Sequence, residues 1–180
     1  RSGCFDLQSN SPNLCNLVRK WNLRFDGVKG PISFLERFDE LLDAYGIERN
    51  DILIALPEIF QNSALLWYRN NKDLWRNYVD FRRDFETQFL PPGYKQNLDD
   101  EIRKRTQGQE EQFKDFVVAL MTLMRRRGSL TLDEKLNILY SNMRPEYKLT
   151  MKRQECRTIS DMIHQAEQYE EYLRARNTYR

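Results

Sequence analysis

Protein chemistry needs groups that trade protons, attack or hold a metal, and this chain offers few of them in working arrangements. Its single histidine, His164, has no cysteine or second histidine at metal-ligand spacing. Cys4, Cys15 and Cys156 are scattered and odd in number, which suits a reducing cytoplasm better than a disulfide scaffold. Carboxylates stand side by side at Asp99-Asp100 and Glu110-Glu111. Near a helix start such pairs complement exposed N–H groups far more often than they form a catalytic dyad. Glycine occurs only singly, so no phosphate-cradling loop is present. No Ser or Cys has a recognisable histidine partner. The expectation is a protein with no catalytic residues, no metal and no cofactor.

Cations are the other chemical resource. Arg103-Lys104-Arg105 and Arg125-Arg126-Arg127 are the two basic runs. They read either as contacts to RNA phosphates or, for the second run, as charges complementing a helix C-terminus. The chain as a whole carries 29 basic and 27 acidic side chains, a net charge of +2 over 180 residues. That balance gives no broad basic field to drive nucleic-acid binding by itself. No apolar run approaches the roughly 20 residues of a membrane span, and the N-terminus lacks the pattern of a signal peptide.

The elements that must position these groups are helical. Residues 1–16, rich in Ser, Asn, Gly and Pro, read as a flexible arm. Trp21, Leu23 and Phe25 alternate strictly and predict a short extended strand with one buried face, closed by Asp26-Gly27. Helical spacing then recurs in Phe34 to Tyr45, between Pro31 and Gly46, each placed for a helix end. It recurs over Asn50–Leu56, Phe60–Asn71 and Leu74–Phe89. Leu90-Pro91-Pro92-Gly93 breaks the series, because proline removes donors and fixes φ. Beyond it come Leu98 and Ile102, then a stripe from Phe113 to Met124, then two capping-box patterns, Thr131 with Glu134 and Thr158 with Asp161. A short helix at Pro145 lies between the last two. The expected architecture is all-α in two small helical lobes. A first lobe over 17–90 holds about four helices plus the strand, a linker covers 91–97, and a second lobe of about five helices covers 98–176.

One segment carries identity. Gln107-Gly108, Glu111, Phe113, Phe116 and Leu120 form a turn, an acid and an aromatic-led helix face. A turn at Gly108 lets Gln107 reach backbone groups of the following helix, while Glu111 in the first turn complements its N–H donors. The segment resembles the major homology region of retroviral and retrotransposon Gag capsids. That family usually has an arginine where this chain has Ala119, which leaves either a simpler polar network or another arginine in its place. The likeness runs from Trp21-Gly27 through Ile32-Phe38, Ala64-Tyr68 and Trp75-Phe89. Over roughly 17–175 it is similar to the capsids of gypsy-type LTR retrotransposons and to Arc, a protein domesticated from such a Gag.

The resemblance implies a retroviral capsid-like protein that assembles with itself, not an enzyme. First lobes would form pentamers and hexamers, second lobes would pair between rings, and the shell would enclose RNA held mainly by regions outside this chain, since no zinc knuckle follows. Particles would be cytoplasmic, with release in extracellular vesicles as a further implication. The helix over Thr131–Met143 would carry the pairing, where Ile138 is either a partner contact or a tolerated surface residue. The competing reading is an Arc-like adaptor binding short peptides in a hydrophobic groove bordered by Trp21, Leu23 and Phe25, the alternative for these three being plain core packing.

Overall fold

The structure, a computed structural model, describes residues 11–179. The part of the expected arm at 1–10 lies outside them. The chain divides between Pro92 and Gly93 into two compact units. Among the described residues the regular elements are helical: eight α-helices and four 3-10 segments, with no strand longer than one bridging residue.

The first unit contains α1 (Ser11–Lys20), α2 (Pro31–Ala44), α3 (Asn62–Asn71) and α4 (Tyr78–Phe89), with 3-10 segments at Asp51–Glu58 and Lys72–Leu74. Residues 11–16, expected in the arm, instead open α1. Their Ser, Pro and Asn content hides a face in which Val18 is fully buried and Leu14 and Cys15 pack beside it. Arg19 fastens that helix to the segment beneath it through two hydrogen bonds to Glu58, at 3.0 and 2.9 Å. α2 begins at Pro31 and ends before Gly46, whose φ of +62° suits the αL stop.

The expected strand over Trp21–Phe25 is reduced to a parallel bridge between Phe25 and Phe60, built from Phe25 N–H to Ile59 O at 3.1 Å and Gln61 N–H to Phe25 O at 2.9 Å. Period-two spacing reported extended backbone but not a sheet, because the partner backbone turns into α3 at once. α4 starts at Tyr78 rather than near Leu74, since Asn77 caps Asp80 N–H at 3.0 Å and leaves Leu74 on the surface.

The second unit contains α5 (Tyr94–Lys104), α6 (Phe113–Arg127), α7 (Leu132–Asn142) and α8 (Ile159–Thr178), with 3-10 segments at Pro145–Leu149 and Arg153–Glu155. Both capping boxes form. Thr131 and Glu134 open α7, and Thr158 and Asp161 open α8. The core gathers Phe113, Phe116, Leu120 and Met124 of α6 with Leu136 and Leu139 of α7 and Met162 and Ala166 of α8. Among the described residues no helix is long and apolar enough to cross a membrane, and no group of His, Cys, Asp or Glu could hold a metal ion.

Candidate functional site

The distinctive constellation is the turn between α5 and α6. Gln107 is buried and uses both ends of its amide. Its Nε2 donates to Glu111 O at 3.0 Å, and its Oε1 accepts from Arg144 N–H at 3.1 Å. Its own N–H donates to Asn142 O at 2.9 Å. A buried amide with every group paired is what such a position requires. The turn at Gly108 brings its N–H to Glu111 Oε2 at 2.9 Å.

Glu111 does not sit in the first turn of α6 as expected; that helix starts at Phe113. Its carboxylate instead closes the turn behind it and pairs with Arg105. One guanidinium nitrogen donates to Oε2 at 3.0 Å, and the other donates to Oε1. The same guanidinium lies 5.9 Å from the centre of the Phe116 ring. The Arg105 hydrogen bonds, and after them the Gly108 N–H, hold the Glu111 carboxyl below its ordinary range against the opposing effect of burial. Of the two options left open by Ala119, the structure shows the second: Arg105, just past α5, is the arginine that pairs with Glu111.

Two neighbours complete the turn. Asn142, at the end of α7, donates to Ile102 O at 2.7 Å and to Arg105 O at 3.1 Å, satisfying the last carbonyls of α5. Arg144 donates through Nη1 to Gln109 O. At the start of α6, where Gln112 makes no side-chain cap, the Phe113 N–H donates to Glu170 Oε1 of α8 at 2.9 Å. Sequence reasoning missed Asn142, Arg144 and Glu170. They lie 35 to 57 residues from their partners, and no local pattern marks a long-range cap. Phe113, Phe116 and Leu120 are buried beneath the turn.

The other sequence candidates fall elsewhere. Phe25 is the hub of the first unit's core, with ring centres of Phe34, Phe89, Phe85 and Phe60 between 4.9 and 6.1 Å away. Trp21 and Leu23 are half-buried against that core, and the Trp21 ring lies tilted against Tyr45 with centres 5.6 Å apart. Ile138 is half-buried against the second core. Arg105 is engaged by Glu111, and Arg127 by Asp99 at 2.9 Å. Arg103 is exposed and meets Asp100 at 3.3 Å, and Lys104, Arg125 and Arg126 are exposed.

Two helical units, the second with a Gln-Gly-Glu turn around buried Gln107 between α5 and α6, define a capsid-type fold. In sequence and in fold the chain resembles the Arc-like capsid domain of retroelement Gag proteins. It is 25% identical over 143 residues, 77% of this chain and 71% of the relative, to activity-regulated cytoskeleton associated protein 2 of Drosophila melanogaster. Among solved structures it matches the dArc2 capsid with a TM-score of 0.58 and 22% identity, covering 83% of this chain and 94% of that one. It matches the dArc1 capsid with a TM-score of 0.51 and 17% identity, covering 84% and 94%. No protein-family model matches the chain.

Proposed function

We propose that this chain is a structural protein that self-associates into closed shells able to enclose RNA. The observation that carries the reading is the two-unit helical fold with its buried Gln107-Glu111 turn, matched over 83% of the chain to a capsid. The surface agrees with weak, repeated contacts: single large apolar side chains lie exposed on separate elements, Leu66 on α3, Val79 on α4, Val118 on α6 and Leu132 on α7. Many small interfaces closed by symmetry give a stable shell without any single tight contact. First units form the rings, and second units pair across α7, where exposed Leu132 offers more than half-buried Ile138. The basic contribution to RNA from this chain comes from the exposed Arg103, Lys104, Arg125 and Arg126, whereas Arg105 and Arg127 are half-buried.

The test is negative-stain microscopy of concentrated protein with raised salt or with RNA, where closed particles are expected. A sample that stays monomeric under all these conditions overturns the proposal. If short peptides then saturate the first unit, the adaptor reading replaces it. That reading rests on Trp21 and Leu23, because Phe25 is committed to the core.

A further inference from the structure

The loop between α6 and α7 carries a motif that neither the core nor the Gln107 turn uses. Arg126-Arg127-Gly128-Ser129-Leu130 places arginines three and two residues before a serine and an apolar residue after it. Ser129 is the only Ser or Thr in the chain with arginine at both positions. It is exposed, and a side chain at Gly128 would meet nothing within 4 Å, so the loop stands clear of its surroundings. Ser129 has a φ of +60°, a left-handed backbone that strains a residue with a Cβ. Extending the loop releases that strain. The last buried residue of α6 is Met124, whose carbonyl accepts the Gly128 N–H at 3.0 Å. Arg126 lies past it and is exposed. Arg127 is half-buried and donates to Asp99 and to Gly128 O, both at 2.9 Å. Unwinding that final turn presents Arg126 to Leu130 as an extended segment with Met124 left in place, and only half-buried Leu130 leaves the edge of the core.

We propose that Ser129 is a phosphorylation site for a protein kinase that reads the upstream arginines with its own carboxylates and seats Leu130 in an apolar pocket. Arginine meets carboxylates in a bidentate fork, so two in succession offer such an enzyme both charge and geometry to recognise. Ser129 Oγ attacks the γ-phosphorus of Mg–ATP, the bond to the bridging oxygen breaks, ADP leaves, and the hydroxyl proton passes to the kinase's aspartate. Thr106 is the counter-example. Arg103 and Lys104 precede it at the same spacing, but the next residue is buried Gln107, whose amide and N–H are all paired. Extension there dismantles the turn. A phosphate on Ser129 adds a charge of about −1.5 to −2 beside Arg125, Arg126 and Arg127, cancelling half or more of theirs. It thereby weakens the RNA contact assigned above to Arg125 and Arg126, a consequence that rests on that reading.

The experiment incubates the full chain with Mg–ATP and the catalytic subunit of cAMP-dependent protein kinase, an enzyme selective for paired arginines. Intact mass should show the gain of one phosphoryl group, which peptide mapping places on Ser129 and not on Thr106. Arg126→Ala is expected to slow incorporation by about tenfold, the size of one charge-assisted pair. Ser129→Gly, which suits the positive φ and keeps the fold, should take up none. No phosphate on Ser129, as much on Thr106, or an undiminished rate in Arg126→Ala would each overturn the site. Affinity for a short single-stranded RNA is then compared before and after phosphorylation, and a drop of about tenfold at low salt is expected. A modified chain that binds RNA as tightly as the unmodified one overturns the charge effect. An unmodified chain that binds no RNA overturns the RNA reading and leaves the acceptor site standing.

Discussion

The two units solve the same problem with different materials. The first is held by rings: Phe25, Phe34, Phe60, Phe81 and Phe85 lie within 4.9 to 6.3 Å of one another in successive pairs, and Trp67 and Phe89 extend the cluster. The second has a smaller aromatic share and a core richer in methionine, with Met124, Met143, Met151 and Met162 all buried. Its specificity comes from the polar turn at Gln107–Glu111. Aromatic packing is non-local and tolerant in direction, while a buried amide accepts only one arrangement of partners. The first unit should therefore respond to lost volume, and the second to lost hydrogen bonds.

The largest effect expected is at Phe25. Among the described residues it is the only ring of the loop before α2 that meets rings of α2 and α4 and also Phe60, two residues before α3. Phe25→Ala deletes that junction and should destabilise the first unit by about 3–5 kcal/mol. Hydrogen exchange of first-unit amides is the measurement, with second-unit amides as the internal reference. A loss under about 1 kcal/mol would break the comparison, since the hub would then be replaceable by its neighbours.

Phe25 also shows what the sequence could and could not say. The alternation Trp21, Leu23, Phe25 correctly marked one buried side chain, but it suggested a strand where the structure has a single bridge. Helix faces of α2, α6, α7 and α8 were legible because their apolar residues keep helical period and their ends carry Pro, Gly or capping boxes. α1 was not, because Ser11, Pro12, Asn13 and Asn16 outweigh Leu14 and Val18 in composition, and only contact with the segment Asp51–Glu58 reveals its face. In the turn, Gln107, Gly108 and Glu111 were legible as a group six residues or fewer apart. Arg105 was read as a cation for RNA, because nothing local distinguishes a structural arginine from a solvated one. Glu170, on a helix 57 residues away, had no signal at all.

The second prediction concerns that polar turn. Glu111→Ala removes the acceptor for Arg105 and for the Gly108 N–H together, and should destabilise the second unit by about 2–3 kcal/mol. Arg105→Ala, which spares the Gly108 contact, should cost less. The double variant should cost clearly less than the sum, with a coupling of about 1 kcal/mol or more for residues in direct contact. Thermal melting followed by second-unit amides or by circular dichroism supplies the three numbers. Additive losses would mean that the pair stands together without acting together, and the contrast with the ring-built unit would fade.

The smallest effect sharpens the comparison instead of testing its strength. Each unit contains one tyrosine hydroxyl pushed up to about 12, Tyr78 in the first and Tyr147 in the second. Burial is the leading cause in both. The charge of Asp39 adds to it at Tyr78, against the opposing Arg82, and a hydrogen bond to Glu170 adds to it at Tyr147. A raised value for an acid means that the neutral form is favoured in the folded state. The resulting stability is whole below the ordinary tyrosine value of about 10 and is lost as pH rises from there toward about 12. In spectrophotometric titration of the 9 tyrosines, the latest part of the curve should lose one step in Tyr78→Phe and another in Tyr147→Phe, while Tyr68, also raised by burial, remains in both. At neutral pH the two variants should differ. Tyr78→Phe leaves Asp39 still paired with Arg82 at 3.0 Å, so it should be nearly silent. Tyr147→Phe takes one of the two donors from Glu170 and should show a small loss in the second unit, on the order of 1 kcal/mol. Equal losses from the two substitutions would mean that the ring-built unit depends on its hydrogen bonds as much as the polar one does.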